Sequence, residues 1–332
     1  MNLPTRSKVV RFHQFGLPFE VAKVEDELTP LPQAGELVIE MLASPINPAD
    51  LNFIEGSYGV KAVLPAVPGF EGSGKVIAVG PNVTRFKIGD NVKPPDGTGT
   101  WRQLVCARQE SCIKLPSDIP AEQLAMIYVN PPTAWRMLHD FVPLKKGDWI
   151  IQNAANSAVG RCVIQIAKAK GWHTINIVRR SELIDELKAL GGDVVVLESE
   201  KLKQNVMNAI QEPIMLGLNA VGGNSAIWLA DCLEKGGTVV TYGGMSKEPF
   251  KIPTRFFIFK DLRFVGFWMS HWYKQRPVAD REAMLREVGE LMRAKKLSIK
   301  IDKTFSLDDI TPAIQHALQP NRQGKTLLNI KK

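Results

Sequence analysis

The chain has 332 residues, a length that suits two domains better than one small core. With 45% hydrophobic and 23% charged residues it has the composition of an ordinary globular protein, which argues against a disordered or low-complexity chain. The formal net charge of +8 arises from 42 basic and 34 acidic residues that are mixed along the sequence. This mixing indicates a solvated surface and no nucleic-acid binding, while the excess is compatible with an acidic partner or a phosphorylated ligand.

No apolar run has the length of a membrane span, and the first residues lack the apolar core of a signal peptide. We therefore expect no membrane association and a cytoplasmic location, or the mitochondrial matrix if the chain is a mature form. The four cysteines form no closely spaced pair, and none of the five histidines has a metal-binding spacing. No metal site is predicted.

The first third of the chain is typical of short strands joined by turns rich in glycine and proline. Strands are predicted at 37–42, 74–79, 90–92 and 101–107. After about residue 120 the predicted strands (149–152, 174–178, 194–197, 214–221 and 238–244) alternate with helices at 157–171, 181–192, 201–211 and 225–237. This alternation predicts βαβ units and a parallel sheet that is covered on both faces. Short strands return after residue 295, so we expect the head and tail of the chain to share one domain.

The segment NAANSAVG (153–160) lies between the first predicted strand and helix of this region. Backbone N–H groups and the helix dipole favour a dinucleotide pyrophosphate at such a position. Small side chains keep the turn narrow in place of the usual glycines, at Ala154, Ala155, Ser157 and Ala158. Gly160 allows close helix packing, and Asn156 tolerates left-handed backbone geometry. The turn alone is a weak signal, and an ordinary βα loop is the alternative.

Arg179 and Arg180 follow the second strand, about twenty residues beyond the turn, where NAD-binding folds place an acid that holds the adenosine ribose. A carboxylate would repel a 2′-phosphate, whereas guanidinium groups pair with phosphate bidentately. The two arginines therefore predict NADPH as the cofactor, and they favour the interpretation of NAANSAVG as a phosphate cradle.

Several longer segments are more specific: NPADLNFIEGSYG (47–59), VNPPTAWRML (129–138), INIVRR (175–180), TYGGM (241–245) and FKDLRFVGFW (259–268). Together with 150–160 they resemble the medium-chain dehydrogenase/reductases over essentially the whole chain, and most of all the zinc-free 2-enoyl thioester reductases of mitochondrial type. The resemblance implies an α/β fold with a GroES-like, mostly β catalytic domain and a Rossmann cofactor domain with a doubly wound parallel sheet. It places the first domain at 1–124 and 296–332 and the second at 125–295.

The sequence departs from the zinc alcohol dehydrogenases of this family at their ligand positions. Gly69-Phe70-Glu71 stands where they have a GHE triplet, so that Phe70 replaces a ligand histidine. NPAD (47–50) stands where they have the first zinc cysteine, and their structural-zinc loop of closely spaced cysteines is missing. The resemblance therefore implies chemistry without zinc. Two residues also depart from the reductase pattern: Ala158 stands where glycine is frequent, and Ser181 where a further basic residue is frequent.

The resemblance implies NADPH-dependent reduction of trans-2-enoyl thioesters, carried on coenzyme A or acyl carrier protein, in fatty acid synthesis. Hydride goes to the β carbon and a proton to the α carbon. Tyr58 is the implied proton donor, because a phenol with a pKa near 10 stays protonated at neutral pH. The implied cofactor-binding residues are Asn130, Asn156, Ser157, Ala158, Val159, Arg179, Arg180, Ser181, Tyr242, Gly243, Gly244, Met245, Phe267, Trp268, Met269 and Lys325.

Alternatives stay open for individual residues and for the whole chain. Without the resemblance, Tyr58 is better explained as a tyrosine of a loop that closes over a pocket. Phe267 and Trp268 are also compatible with core or interface positions, and Lys325 with the surface. An NADPH:quinone oxidoreductase of the same superfamily is the alternative enzyme, and a non-catalytic NADPH-binding protein is the alternative of another class. The resemblance also implies a homodimer joined through the cofactor-domain sheets, with FVGFWMS (264–270) at or near a sheet edge.

Overall fold

The structure is a computed structural model that describes residues 3–331. The chain forms two compact units, Met1–Val129 with Ile299–Lys332 and Asn130–Ser298. The sequence predicts domain limits at 1–124 with 296–332 and at 125–295. These limits remain a prediction and are distinct from the units of the structure.

The first unit is mostly β. Its strands are β1 (Arg6–Arg11), β2 (Lys23–Leu28), β3 (Glu36–Pro45), β4 (Ser73–Val79), β5 (Asn91–Lys93), β6 (Leu104–Arg108), β7 (Ile113–Lys114), β14 (Ile301–Ser306) and β15 (Lys325–Asn329). Its helices are α1 (Pro18–Val21), α2 (Pro48–Glu55), α3 (Ala121–Leu124) and α12 (Ile310–Leu318).

Seven of these strands form one mixed sheet. Its order is β14-β15-β3-β4-β5-β7, and β6 pairs with β3, while β1 and β2 form a separate antiparallel pair. The C-terminal strand β15 lies antiparallel to β3, so the end of the chain completes a sheet that begins near its start. The buried core beneath the sheet includes Phe12, Ile39 and Trp101, together with Ile314 of helix α12.

The second unit alternates strands and helices. Its strands are β8 (Trp149–Gln152), β9 (His173–Val178), β10 (Val194–Leu197), β11 (Ile214–Asn219), β12 (Thr238–Thr241) and β13 (Arg263–Gly266). Its helices are α4 (Asn130–Asp140), α5 (Ala158–Lys170), α6 (Ile184–Leu190), α7 (Leu202–Ala209), α8 (Gly223–Asp231), α9 (Thr254–Ile258), α10 (Met269–Gln275) and α11 (Val278–Arg293).

The six strands of this unit form a parallel sheet with the order β10-β9-β8-β11-β12-β13. The order reverses between β8 and β11, as in a doubly wound sheet, and loops at the carboxyl ends beside such a reversal are the usual ligand site. Ile150, Ile151 and Ile175 are fully buried because helices cover both faces of the sheet. The predicted fold class is confirmed.

Candidate active site

The turn after β8 has the geometry of a phosphate cradle. Ser157 is the N-cap of helix α5, and its hydroxyl accepts a hydrogen bond from the N–H of Gly160 at 3.1 Å. The N–H of Arg161 donates to the Ser157 carbonyl at 2.9 Å. The N–H groups of Ala158 and Val159 belong to the first helical turn, have no intrahelical acceptor and lie at the positive, N-terminal end of the helix dipole. This arrangement favours a bound anion.

Two small residues set the shape of this turn. Ala154 has a φ of 47°, so the left-handed residue of the turn is Ala154 and not Asn156. A Cβ added to Gly160 would lie 2.6 Å from the Ala155 carbonyl oxygen and 2.8 Å from that of Ala154. Gly160 is therefore required by the turn itself, because any side chain there would push the helix away from the two carbonyls.

Arg161 is a residue that the sequence did not single out. Its side chain is almost fully buried, its Nε donates to the Asn156 carbonyl at 3.1 Å, and its guanidinium pairs with Glu186 of helix α6 at 3.0 Å. The arginine thus ties the carbonyl of the turn to a neighbouring helix. The only sequence signal for the role of Arg161 is a basic residue four positions after an N-cap, with an acid in the next helix.

The loops after β8 and β11 are joined by a buried amide pair. Asn153 Nδ2 donates to Asn219 Oδ1 at 2.8 Å, and the N–H of Ala220 donates to Asn153 Oδ1 at 2.7 Å. Both asparagines are fully buried. Since a buried amide must satisfy its donors and acceptor, this pair fixes the two loops relative to each other at the switch point of the sheet.

Arg179, Arg180 and Ser181 come directly after β9, at the same edge of the sheet as the phosphate turn. Arg179 is exposed and Arg180 is half-buried, with its guanidinium 3.4 Å from the carboxylate of Glu182. The carboxyl end of this strand therefore presents two guanidinium groups, one of which shares its charge with an acid.

A further group of the predicted cofactor residues of this unit follows β12 and β13. The N–H of Tyr242 donates to Asn219 O at 3.0 Å, and that of Phe267 donates to Thr241 O at 2.9 Å, so both segments continue the strand ladder. A Cβ on Gly243 would lie 2.9 Å from the Ala220 carbonyl oxygen, whereas one on Gly244 would meet no atom within 4 Å. The sheet thus brings 156–159, 179–181, 242–245 and 267–269 to one edge.

A buried amide nitrogen in this unit fits a bound nicotinamide cofactor. Asn130 Nδ2, at the start of helix α4, is buried and has no hydrogen-bond partner among residues 3–331, and Tyr242 Oη is buried beside the Ser157 hydroxyl. Burial raises the pKa of Tyr242, and the nearby Ser157 hydroxyl opposes this in part. Because unpaired buried donors are costly, an amide group left in this state is suited to a polar ligand.

Tyr58 and Lys325 belong to the first unit. Tyr58 follows helix α2, which ends at Gly56 in a left-handed conformation, and the N–H groups of Ser57 and Tyr58 both donate to the Asn52 carbonyl at 2.9 and 3.1 Å. The tyrosine side chain is half-buried and its ring packs on that of Phe70, with 5.1 Å between the centroids.

Lys325 is 5% exposed and lies at the start of β15. Its ammonium donates to the Ile46 carbonyl at 3.2 Å and to Asn47 Oδ1. These contacts place it in a buried polar cluster and not on the surface. Whether it also contacts the cofactor stays a prediction.

Two fully buried carboxylates complete this cluster. Asp50 accepts hydrogen bonds from the N–H groups of Asn47 and Phe70 at 2.7 and 2.8 Å. Glu71 accepts one from Asn47 Nδ2 and one from the Val129 N–H, each at 2.9 Å. Burial raises the pKa of Asp50 to about 6 and that of Glu71 to about 7, and the neighbouring Lys325 charge opposes both shifts. A lone acid in an apolar segment is a weak signal, which is why the sequence did not predict this cluster.

In residues 3–331, no three His, Cys, Asp or Glu side chains come together as a metal-binding group. The absence of zinc stays a prediction that elemental analysis can test. The described part of the chain also contains no helix with the length and apolar character of a bilayer span.

Two family models match the chain. The alcohol dehydrogenase GroES-like domain matches residues 33–117, within the mostly β unit, and the model described as zinc-binding dehydrogenase matches residues 158–287, within the parallel-sheet unit. This combination defines the class of the medium-chain dehydrogenase/reductases.

Individual similar proteins narrow the family further than the two domain models do. A mitochondrial enoyl-[acyl-carrier-protein] reductase of Caenorhabditis elegans is 45% identical over 293 residues, which cover 86% of this chain and 84% of the relative. The mitochondrial 2-enoyl thioester reductase Etr1p/Etr2p heterodimer from Candida tropicalis is 31% identical with a TM-score of 0.88, covering 98% of this chain and 100% of that one. A solved complex of Etr1p with NADP and crotonyl-CoA is 30% identical with a TM-score of 0.89 and the same coverage. The chain therefore belongs to the family of the mitochondrial-type enoyl-[acyl-carrier-protein] reductases.

Proposed function

We propose that the protein uses NADPH to reduce trans-2-enoyl thioesters on coenzyme A or acyl carrier protein to saturated acyl thioesters. Bound NADPH supplies the hydride for the β carbon, and the protein supplies a proton for the α carbon. The relative from C. elegans is named as an enoyl-[acyl-carrier-protein] reductase, and Etr1p has been solved with NADP and crotonyl-CoA. Fatty acid synthesis is the process that this reaction serves.

The observation that carries the proposal is the pair of guanidinium groups after β9. Arg179 and Arg180 lie at the same sheet edge as the N-terminus of helix α5, about the distance in sequence at which a ribose-binding acid is expected. Helix N–H groups and guanidinium groups bind phosphate oxygens with charge-assisted hydrogen bonds. A cofactor with both a pyrophosphate and a 2′-phosphate matches this arrangement.

Most of the other proposed cofactor contacts lie at the same edge. Asn156, Ser157, Ala158 and Val159 bind the pyrophosphate, Arg179, Arg180 and Ser181 the 2′-phosphate, and the surround includes Tyr242, Gly243, Gly244, Met245, Phe267, Trp268 and Met269. Asn130 of helix α4 is proposed to bind the nicotinamide, and Lys325 of the first unit is proposed as a cofactor contact from the family resemblance alone. The unpaired Asn130 Nδ2 supports this assignment, since it lacks a partner within the described residues and an amide-bearing ligand would provide one.

Tyr58 is the proposed proton donor. Hydride addition leaves negative charge on the thioester oxygen and a basic α carbon, so the site requires a neutral acid near that carbon. A phenol remains protonated at neutral pH and can donate to such a strong base. The position of Tyr58 at the left-handed end of helix α2 fixes its backbone in the first unit.

We also infer a homodimer formed through the cofactor-binding unit. Strand β13 is an edge of the parallel sheet and leaves one row of backbone groups without a partner strand in the described structure. Large apolar side chains nearby are exposed: Phe257, Ile258, Phe259 and Trp268. Edge pairing with a second copy would satisfy the strand and cover the apolar surface. Sedimentation equilibrium, together with Ile258→Glu as the disruptive variant, tests this assembly.

The deciding experiment compares NADPH oxidation with crotonyl-CoA, hexenoyl-CoA and a panel of quinones, in wild type and Tyr58→Phe. We expect thioester turnover that falls by roughly 10²-fold or more in Tyr58→Phe while NADPH affinity is kept. Quinone turnover that exceeds thioester turnover would favour the oxidoreductase alternative. Tight NADPH binding without turnover of any acceptor would favour the non-catalytic alternative.

The location follows from the same relationship. Of the two locations expected from the sequence, the mitochondrial name of the C. elegans relative supports the matrix over the cytoplasm. Fractionation of the source cells with immunodetection distinguishes the two.

A further inference from the structure

Phe70 forms a platform beneath the proposed proton donor. Its ring centroid lies 5.1 Å from that of Tyr58, with an interplanar angle of 47°. Separations of about 4.5–7 Å with tilted or edge geometry are those at which aromatic rings attract each other. Phe70 occupies the middle position of the Gly69-Phe70-Glu71 triplet. Its phenyl ring has no chemical role in the proposed reaction.

The Phe70 platform is itself held on two sides. Its backbone N–H donates to Asp50 Oδ1 at 2.8 Å, and Asp50 is fully buried within helix α2. Its ring also packs edge-on against Phe53, another residue of helix α2, with 5.3 Å between the centroids. Phe53 in turn packs against the fully buried Phe12 at 5.7 Å. The platform is therefore anchored to the hydrophobic core of the first unit.

Tyr58 is connected to the same helix through its backbone. Its N–H donates to the Asn52 carbonyl at 3.1 Å, directly after Gly56 ends the helix with a φ of 79°. One helix thus carries the backbone of the tyrosine at its C-terminal end and, through Asp50 and Phe53, fixes the ring on which the tyrosine lies. Helix α2 therefore positions both the backbone of Tyr58 and the ring that its side chain contacts.

We infer that Phe70 is a positioning residue that sets the ring orientation of Tyr58, and that Asp50 and Phe53 set the position of Phe70. The inference rests on the proposed function, because it gives Tyr58 the role of proton donor. Proton transfer to carbon depends on donor placement, since a misplacement of about 1 Å can cost roughly 10²-fold in rate, and a ring free to rotate spends less time in the reactive geometry. Phe70 therefore affects turnover and leaves cofactor binding unchanged.

The test is a cycle of four proteins: wild type, Phe70→Leu, Tyr58→Phe and the double variant. Each is assayed for kcat and KM with crotonyl-CoA and for NADPH affinity by fluorescence titration. We expect Phe70→Leu to lower kcat by roughly tenfold, with NADPH affinity and the KM for crotonyl-CoA within about twofold of wild type. Phe70→Tyr keeps the ring and should restore at least half of the wild-type kcat.

The double variant decides whether the effect passes through Tyr58. Once the phenol is absent there is no proton donor left to orient, so Phe70→Leu should cause no further fall in the Tyr58→Phe background. A further tenfold fall in that background would overturn the inference, as would a raised KM for crotonyl-CoA with unchanged kcat. If Tyr58→Phe alone leaves turnover unchanged, the proposed role of Tyr58 fails, which is a different result from a failure of Phe70.

Phe86→Leu is the matched control for packing. Phe86 is buried in the same hydrophobic core but lies outside the row of ring contacts that joins Phe12, Phe53, Phe70 and Tyr58. It should lower the melting temperature at least as much as Phe70→Leu while kcat per folded enzyme is unchanged. Equal losses of kcat in both variants would assign the effect to general loosening of the core and contradict the inference.

Discussion

The choice between NADPH and NADH should depend on the two arginines after β9. Replacing both, in Arg179→Ala/Arg180→Ala, removes the guanidinium groups proposed to bind the 2′-phosphate. Each charge-assisted hydrogen bond contributes about 1.5–3 kcal/mol. Because Arg179 is exposed and Arg180 only half-buried, the low end applies to each, which gives about 3 kcal/mol for the pair. At about 1.4 kcal/mol per tenfold, the preference for NADPH should fall roughly 100-fold.

The measurement is the ratio of kcat/KM for NADPH to that for NADH, with crotonyl-CoA held at saturation. The change should appear in the NADPH term, while kcat/KM for NADH stays within about threefold, because NADH has no phosphate at this position. A ratio unchanged within threefold would refute the assignment of these arginines. Salt near 1 M should also reduce the wild-type ratio, since exposed charges are then screened beyond about 3 Å.

Glu182 provides a matched variant with the opposite expectation. Its carboxylate lies 3.4 Å from the Arg180 guanidinium and is mostly exposed. A surface pair of this kind is worth about 0.2–1 kcal/mol, and binding of a phosphate by Arg180 must share or replace it. Glu182→Gln should therefore raise the preference for NADPH, by up to about fivefold. A fall in the preference would mean that Glu182 helps to orient Arg180.

Three further predictions concern buried residues. Gly160→Ala should weaken NADPH binding at least tenfold in a fluorescence titration, because the new Cβ would lie 2.6 Å from the Ala155 carbonyl oxygen. Arg161→Met should weaken NADPH binding by a few fold and leave kcat unchanged, because it frees the turn carbonyl without touching the reacting groups. Burial raises the pKa of Glu71 from 4.5 to about 7, so between these two pH values the folded chain keeps a proton that the unfolded chain loses. The free energy of unfolding should therefore fall by up to about 3 kcal/mol as the pH rises from about 4.5 to about 7. Glu71→Gln should lose the share of Glu71 in urea unfolding at pH 5 and 8 and keep a smaller share from Asp50, whose pKa burial also raises, to about 6, whereas Glu20→Gln, an exposed control, should keep the whole dependence.

The parallel-sheet unit could be predicted in detail because its signals are local. Strands buried on both faces appear as short apolar runs, and β8, predicted at 149–152, is observed at Trp149–Gln152. Helix α5 was expected at 157–171 and is found at Ala158–Lys170, since the Ser157 cap and the left-handed Gly171 define its ends. The sequence thus positions both the phosphate turn and the arginines.

Helix α2 and the buried polar cluster show why parts of the first unit were not predicted from the sequence. Helix α2 has only eight residues within a region of strands, although the Asn47/Asp50 capping box and Gly56 mark both of its ends. The buried cluster has no local signal, because Lys325 Nζ and Asn47 Oδ1 are 278 residues apart in the chain. Contacts of this kind depend on how β15 joins β3, which follows from the packing of the whole sheet.

The buried cluster also bears on the zinc that a related dehydrogenase would bind at this triplet. The phenyl ring of Phe70 has no lone pair for a metal ion, and the Lys325 ammonium already provides a cation beside Asp50 and Glu71. Two carboxylates with one ammonium leave a single excess negative charge, which the raised pKa of Glu71 can remove by protonation. The cluster therefore needs no divalent ion for charge compensation. Purified enzyme should contain less than about a tenth of an equivalent of zinc, and added zinc should raise neither turnover nor melting temperature. A stoichiometric zinc content, or activity lost to a chelator and restored by zinc, would contradict this account.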